Sequence, residues 1–332
     1  MNIILVGQSH SKRKEYFIKA ARELGVEVRF FELGSSLLDC NQGNFIKIDP
    51  PLYTDSQLSN LNELVKGYID FLQTISQKRK LRFLNSPESI IHTLDKVKCK
   101  EMLVHKQIAI TPLVQEDIID IKSLHKYARE NRSDSLFIKP RYGSGAAGVT
   151  AYRYNPLTCS EVVYTSMNEV NGEFFNTKRI RRINKRDEIE RIVNFILSHD
   201  YIIEKWIPKP KFKGLSYDLR VVYQFGKIDF MVARCSTSPI TNLHLNNSVM
   251  DIEKLNLSER VIHKIEVLCK DAVDCFKGLT CAGIDILLKG RDLEPVIIEI
   301  NSQGDLIYQD IFNQNAIYKN QIMGMVNYGK FN

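Results

Sequence analysis

The side chains best suited to chemistry stand in the segment CAGIDILLKGRDLEPVIIEINSQGD near the C-terminus. Two apolar stretches flank the polar turn KGRDLEP, a pattern that predicts a β-hairpin. If Leu288 pairs with Val296, Asp285 lies opposite Glu299, and Asn301 shares a strand face with Glu299. Carboxylates in apolar strands are costly unless they are compensated, and Mg²⁺ is a natural partner because it prefers oxygen ligands. The alternative is a strand surface that faces solvent.

A glycine-rich loop is the second candidate for chemistry. The stretch FIKPRYGSGAAGV carries Gly143, Gly145 and Gly148 in a G-x-G-x-x-G spacing. A dinucleotide fingerprint needs a helix after the glycines, but the residues here, Val149–Tyr154, alternate as in a strand. Because Ser135–Lys139 also reads as a strand, we predict a hairpin flap here in preference to a dinucleotide-binding turn. An ordinary glycine-rich turn is the alternative.

The segment YIIEKWIP predicts an apolar strand that ends in Glu204, Lys205, Trp206 and Ile207. Such a strand end can offer backbone groups to an adenine edge and an apolar wall to the ring faces. The motif is weak when it is considered alone.

Two strands predicted further along carry charged residues. Asp218 and Arg220 share a strand face, and Arg234 ends the next strand. Arginines suit phosphate oxygens because their planar fork donates two hydrogen bonds. We interpret His244 as a structural or hydrogen-bonding residue in preference to a catalytic base.

The elements that must position these residues begin with an α/β pattern in the first 93 residues. Strands are predicted at Asn2–Gly7, Val26–Glu32 and Arg82–Asn85, and helices at Ser11–Leu24 and about Ser56–Ile75. This order favours a small parallel sheet with helices on both faces. Further helices are predicted in the segment after Thr93 and at 118–130, 185–198 and 258–276, and a strand is predicted at 201–207.

Composition and charge restrict the function classes. The 332 residues are 44% hydrophobic and 26% charged, with a net charge of +7 that favours anionic ligands. No apolar run is long enough for a membrane span. The basic run Lys178–Arg186 is interpreted as a solvated strand or turn before a helix. Contact with substrate or nucleic acid is the alternative, although no nucleic-acid motif surrounds the run.

Cysteine usage predicts the compartment. Seven cysteines form no C-x-x-C motif, and an odd number in a large chain is typical of reduced, mostly buried thiols. The N-terminal MNIILVGQS lacks the basic start of a signal peptide. We therefore expect a cytoplasmic protein without a membrane segment.

The order of these motifs resembles the ATP-grasp superfamily, and within it the RimK-like and glutathione-synthetase-like carboxylate–amine ligases. LDKVKCKEML, FIKPRYGSGAAGV, IIEKWI, GLSYDLRVVY, ARCSTSPITNLHLNN and AGIDIL…IIEINSQGD follow one another as in that family. The resemblance implies nucleotide contacts at Lys96, Lys139, Gly143, Ser144, Gly145, Ala146, Glu204, Lys205, Trp206, Ile207 and Asp218. It implies catalytic roles for Arg220, Arg234 and Asn242, and metal ligation by Asp285, Glu299 and Asn301.

The resemblance also implies an architecture and a reaction. We expect the α/β fold class with α+β lobes: an N-terminal parallel α/β domain (1–93), an ATP-grasp small lobe with linking helices and flap (94–203), and a large lobe with the metal site (204–332). ATP and Mg²⁺ are the implied cofactors, with two ions expected and Mn²⁺ as a substitute. The implied substrates are a carboxylate and an amine of an amino acid, peptide or metabolite. An ATP-grasp kinase and a non-catalytic nucleotide-binding protein are the alternatives, and a homodimer is left open.

Two departures from the family pattern concern the acceptor. After EIN the family usually has a turn of small residues and proline, whereas this chain has Ser302–Asp305. The insert at 155–186 is long and basic. Both lie where a substrate would be recognised, so the acceptor is not defined by the resemblance.

Overall fold

A computed structural model of the protein describes residues 2–35, 44–52, 56–78 and 81–328. Cys40 lies outside these residues, and the other six cysteines are free thiols. Within the described ranges, no helix combines the length and the apolar character that crossing a membrane requires.

The N-terminal sheet is parallel, with strand order β2-β1-β3-β4. Its elements are β1 (Ile3–Gly7), α1 (Lys12–Glu23), β2 (Val28–Glu32), β3 (Phe45–Ile48), α2 (Leu61–Ser76), β4 (Arg82–Phe83) and α3 (Pro87–Leu94), with a 3₁₀ turn at Leu58–Asn60. Side chains of β1 alternate between two cores. Leu5 packs in the core that contains Phe17 of α1, and Val6 in the core that contains Leu72 of α2. Helices therefore cover both faces, as predicted.

Two helices, α4 (Lys96–His105) and α5 (Ile121–Glu130), lead into the next sheet. Asp95 caps α4, because its Oδ1 accepts from the backbone N–H groups of Val97 and Lys98, each at 3.1 Å. Asp95 also binds Arg141 (Nη2–Oδ2 2.6 Å), the first residue of the loop that carries Gly143, Gly145 and Gly148. The cap makes Lys96 the first residue of the helix and fixes it near that loop.

The second sheet is antiparallel, with strand order β8-β7-β6-β5-β9. Its elements are β5 (Ser135–Pro140), β6 (Thr150–Asn155), β7 (Ser160–Val170), β8 (Glu173–Ile183), α6 (Arg186–Leu197) and β9 (Tyr201–Lys205). We call this sheet with α5 and α6 the small lobe. The domain boundary expected between residues 203 and 204 stays a prediction, and it falls inside β9, which pairs with β5 over its whole length.

The third sheet is also antiparallel, with order β13-β12-β11-β14-β15 and β10 paired to β11. Its elements are β10 (Lys211–Phe212), β11 (Leu215–Gln224), β12 (Lys227–Ser236), β13 (Ser248–Asp251), α7 (Glu259–Asp274), β14 (Cys281–Lys289) and β15 (Glu294–Asn301). Leu219, Val221 and Ile284 pack on the side of α7. Because strand residues alternate, Asp218, Arg220 and the neighbouring Asp285 point to the opposite face. We call this sheet with α7 the large lobe.

The last helices, α8 (Tyr308–Asn313) and α9 (Ala316–Tyr328), return to the N-terminal sheet. Tyr318 of α9 packs edge-on against Phe17 of α1, with ring centroids 5.7 Å apart. Arg13 of α1 forms an ion pair with Asp305, and Lys47 of β3 binds the same carboxylate at 2.9 Å. These contacts join the N-terminal sheet to the loop that follows β15.

Candidate active site

A cavity of about 580 Å³ lies between the lobes and reaches the N-terminal sheet. Every site residue predicted from the sequence lines it except Trp206. The lining members are Lys96, Lys139, Gly143, Ser144, Gly145, Ala146, Glu204, Lys205, Ile207, Asp218, Arg220, Arg234, Asn242, Asp285, Glu299 and Asn301. Residues up to about 200 positions apart in the sequence therefore meet in one space, as the motif order predicted.

The predicted pair of carboxylates stands on β14 and β15. Asp285 lies opposite Glu299, as expected, but Leu288 pairs with Pro295, so the predicted pairing with Val296 is wrong. The register shifts between Asp285 and Ile286, where β15 carries one extra residue. This β-bulge, a feature that re-aims side chains, brings Glu299 back into line with Asp285.

Both predicted arginines contact the carboxylate of Asp285. Nη1 of Arg220 lies 2.6 Å from Oδ1, and Nη1 of Arg234 lies 3.1 Å from Oδ2. Burial raises the pKa of Asp285, although the two arginines oppose the rise. The arginines are thus held beside a predicted metal ligand.

Asp218 anchors Arg234 with one carboxylate oxygen, and protein groups also occupy the other oxygen. Its Oδ1 accepts from Nε of Arg234 at 2.8 Å, and its Oδ2 accepts from Lys209 at 2.8 Å and from Thr241 at 2.5 Å. Burial alone would raise the pKa of Asp218, but Arg234 and Lys209 more than offset it and hold the pKa below its usual range. Asp218 therefore positions an arginine, and its predicted nucleotide contact stays a prediction.

The oxygen atoms of the predicted metal ligands are of the chemical type that binds a hard cation. Asp285, Glu299 and Asn301 line the cavity together, and carboxylate and amide oxygens suit Mg²⁺. Oδ1 of Asp285 is buried without a hydrogen bond, and so is Nη1 of Arg220, although the two atoms lie close. In the described ranges, no three His, Cys, Asp or Glu side chains cluster as a metal group, so the amide of Asn301 would be needed as the third ligand.

The first predicted phosphate lysine, Lys96, reaches the flap. Its Nζ donates to the carbonyl oxygen of Gly143 at 2.8 Å and lies 3.4 Å from Oε1 of Glu299. The start of α4, the flap and the carboxylate strands therefore meet at one ammonium group.

The second lysine, Lys139, belongs to a buried network that the sequence reading missed. Oε1 of Glu204 accepts from Lys139 at 2.8 Å and lies 3.6 Å from Nζ of Lys100, while Oε2 accepts from Thr111 at 2.6 Å. Burial would raise the pKa of Glu204, but Lys100 and Lys139 lower it to about 2. The position of Lys100 was predictable, because it stands four residues after Lys96 on one helix face.

At the strand end predicted to contact adenine, two backbone N–H groups already form hydrogen bonds within the protein. The backbone N–H of Lys205 donates to the carbonyl of Pro112 at 2.8 Å, and that of Trp206 to Ser135 at 3.0 Å. The Trp206 ring packs on Phe137, with ring centroids 5.5 Å apart. Trp206 is not among the residues that line the cavity. A nucleotide contact by Trp206 remains a prediction that the geometry does not support.

The flap is the β5–β6 connection, as predicted, and it lies against the N-terminal part of the chain. Gly143 has φ +118°, and a Cβ placed on it would lie 2.8 Å from Cδ2 of Leu61 in α2. Only glycine fits both the backbone conformation and this close approach. Ala146 also adopts a positive φ of 63°.

The basic run 178–186 reaches the cavity only through Lys178. Thr165 of β7 pairs with Arg181, but Met167 pairs with Asn176, so residues 177–180 of β8 bulge out of the ladder. Arg181 is turned toward α6, where it binds Glu188 at 2.7 Å. The interpretation as a strand before a helix agrees with the structure.

The cavity between two antiparallel lobes, closed by a glycine-rich flap and preceded by a parallel sheet, defines an ATP-grasp protein. The family profile described as "YheC/D like ATP-grasp" matches residues 90–331, and the chain belongs to that family. The predicted superfamily and fold class are confirmed. No curated protein sequence matches the chain.

Solved structures share this fold over nearly the whole chain. D-cycloserine synthetase DcsG is 11% identical with a TM-score of 0.61, covering 97% of this chain and 98% of its own. The ATP-grasp ligase PsnB, complexed with minimal precursor, Mg and ADP, is 15% identical with a TM-score of 0.59 over 99% and 98%. D-alanine–D-alanine ligase from Bacillus anthracis, complexed with ATP, is 14% identical with a TM-score of 0.57 over 99% and 97%. At these identities the likeness concerns the fold.

Proposed function

We propose that this protein is an ATP-dependent carboxylate–amine ligase. ATP phosphorylates a carboxylate, and an amine attacks the acylphosphate, which releases ADP and phosphate and forms an amide. The observation that carries the proposal is the single cavity in which two lysines and two arginines face a carboxylate pair and a flap. The names of the structural neighbours, a synthetase and two ligases, support it.

The residue roles follow from where the cationic groups lie. Lys96 and Lys139 hold the α- and β-phosphates, and the amides of the flap, Gly143–Ala146, cover the β- and γ-phosphates. Arg220 and Arg234 hold the γ-phosphate and then the acylphosphate. Adenine lies along the strand end at 204–207, and Asn242 supports the turn beside the arginines. The protein contributes chiefly position and charge.

Asp285, Glu299 and Asn301 would hold Mg²⁺, and we propose two ions, with Mn²⁺ as a substitute. When bound, the metal supplies positive charge that offsets the charge on phosphate oxygens. The complexes of neighbours with Mg and ADP, and with ATP, support this cofactor set.

The substrates are proposed to be a carboxylate and an amine from amino acids, peptides or metabolites. Neither nucleic acid nor a membrane is proposed as a partner. We place the reaction in the cytoplasm, where ATP is available and thiols stay reduced.

The test is a product screen with paired carboxylates and amines. The ligase releases ADP and phosphate only when both substrates are present, and mass spectrometry detects a product lighter by one water than their sum. Asp285→Asn serves as the inactive control. ADP release without an amine, with a phosphorylated product, would instead identify a kinase. ATP binding without any turnover across the panel would indicate a non-catalytic nucleotide-binding protein.

A further inference from the structure

His244 is a cavity side chain that the roles above leave unused. It stands in the 3₁₀ turn Leu243–Leu245 between β12 and β13. Its backbone N–H donates to Oδ1 of Asn242 at 2.9 Å, and Nδ2 of Asn247 donates to the carbonyl oxygens of Ile240 and Asn242, each at 2.9 Å. These bonds fix the turn, so the backbone sets the point from which the imidazole side chain extends.

The imidazole ring of His244 has no hydrogen-bond partner in the part of the chain that the structure describes. Among the described residues, neither ring nitrogen of His244 forms a hydrogen bond, whereas the ring of His125 binds Tyr152 and that of His199 binds the carbonyl of Phe195. The His244 ring is exposed to the cavity. A Cβ placed on Gly145 of the flap would lie 3.6 Å from its Cδ2. The imidazole thus faces the flap, and no described residue forms a hydrogen bond with either of its nitrogens.

Burial and the neighbouring positive charges lower the pKa of His244. Burial within the cavity is the largest influence that lowers its pKa, and Arg220, Arg13, Arg234 and Lys178 lower it further. The carboxylates that contact these arginines are already engaged in ion pairs with them. Asp218 and Asp285 bind Arg234 and Arg220, and Asp305 binds Arg13. No described carboxylate forms an ion pair with His244 that would stabilise its protonated form.

We infer that His244 is the catalytic base that takes a proton from the amine nucleophile, an inference that rests on the ligase reaction proposed above. The ring faces the flap at Gly145 and lines the same cavity as Arg220 and Arg234, and these are the groups that must surround the reacting phosphoryl and acyl groups. A neutral imidazole there can accept a proton from a nitrogen that approaches the acyl carbon.

The proton balance leaves one clear task for such a base. The nitrogen lone pair forms the N–C bond, and the C–O bond to phosphate breaks with its electron pair. An ammonium group loses two protons on becoming an amide N–H. One proton leaves on the released phosphate as HPO₄²⁻, and His244 takes the other and passes it to solvent.

Hydroxylamine separates this task from ATP binding and acylphosphate formation. It is largely unprotonated at neutral pH, so it traps an acylphosphate as a hydroxamate without a base. We expect His244→Gln to lower the amide-forming kcat/KM for the amine about 10²–10⁴-fold. Hydroxamate formation and ATP affinity should remain near the wild-type values. His263→Gln, a change on an exposed face of α7, is the matched control and should leave all three measurements unchanged.

The pH profile gives a second readout, which a structural role would not produce. With a base, the wild-type kcat/KM for the amine levels off above the pKa of the imidazole. In His244→Gln the rate should depend on free amine and rise about tenfold per pH unit up to the pKa of the amine. Imidazole added to His244→Ala should restore amide formation in part.

Three results would overturn the inference. Wild-type amide formation in His244→Gln would show that no base is needed there. Equal loss of amide and hydroxamate, or weakened ATP binding, would make His244 a phosphate ligand or a structural residue. Absence of hydroxamate even in the wild-type protein would instead refute the acylphosphate reaction, so failure of the inference and failure of the proposed function are distinguishable.

Discussion

Replacing Glu204 by Gln should destabilise the protein in a way that depends on pH. The carboxylate lies 2.8 Å from Nζ of Lys139 and 3.6 Å from Nζ of Lys100, and it also accepts a hydrogen bond from Thr111. Lys100 is 3% exposed and Lys139 7%. The substitution keeps the shape of the side chain but leaves two buried ammonium groups beside a neutral amide.

The magnitude follows from the cost of an unpaired buried charge. Removing one partner of a buried ion pair costs about 3–5 kcal/mol, and we expect Glu204→Gln to fall in this range at pH 7. Burial already lowers the pKa of Lys100, while Glu204 is the largest influence that raises it. Without Glu204 the pKa falls further, so Lys100 can lose its proton and relieve part of the cost.

The sign of the pH effect follows from proton counting. A lysine whose folded pKa is below its unfolded pKa binds fewer protons when folded, so stability rises with pH. One proton over two pH units is worth at most about 2.7 kcal/mol, at about 1.36 kcal/mol per unit. The stability deficit of Glu204→Gln should therefore shrink between pH 7 and pH 9, by no more than that amount.

Urea unfolding of wild type and variant at both pH values measures the deficit. Glu101→Gln, an exposed change on the same helix as Lys100, is the control and should stay within about 0.5 kcal/mol of wild type. A deficit below about 1 kcal/mol at pH 7, or one that grows at pH 9, would refute the account of a buried carboxylate that neutralises two lysines.

Three further predictions concern the nucleotide site. Glu299→Ala should lower kcat by at least about a hundredfold while the fold survives, because a proposed metal ligand is lost; full activity with an unchanged circular dichroism spectrum would remove Glu299 from the site. Lys139→Ala should weaken ATP binding about tenfold to a hundredfold, since a charged hydrogen bond is lost, and it should also destabilise the protein, because Lys139 is an ion-pair partner of the buried Glu204. Unchanged affinity in calorimetry would rule out the phosphate role of Lys139. Hydrogen exchange across residues 142–148 should be fast without nucleotide and slower with ATP, because a small, glycine-rich flap orders on binding; equal protection in both states would contradict a closing flap.

The sequence was sufficient for the parts of the site that local patterns encode. Alternation along β14 and β15 predicted Glu299 and Asn301 on one strand face and Asp285 opposite Glu299, although it is the bulge in β15 that produces this last pairing in the observed register. The helical pattern after Thr93 predicted the helix that carries Lys96, which the structure shows as α4. Both features depend on nearest neighbours in a strand or a helix, and these leave a periodic signal in the sequence.

Other parts of the site depend on tertiary contacts that leave no such signal. Lys178 and Arg181 belong to one basic run of β8. The bulge in this strand brings Lys178 to the cavity, whereas Arg181 forms an ion pair with Glu188 of α6. The carboxylate of Glu204 faces two lysines, 65 and 104 positions earlier in the chain. No described residue forms a hydrogen bond with the ring of His244. A single sequence cannot reveal such an absence, because it depends on how distant segments pack.

The transfer of oxygen from carboxylate to phosphate tests the central claim most directly. The carboxylate identified in the product screen would be labelled with ¹⁸O and incubated with ATP, Mg²⁺ and the amine, and the phosphorus products would be analysed by ³¹P NMR. An acylphosphate pathway predicts that one ¹⁸O per amide appears in inorganic phosphate, because the C–O bond to phosphate breaks when the amine attacks. Label in AMP, or amide formation without label in any phosphorus product, would contradict a ligase that acts through an acylphosphate.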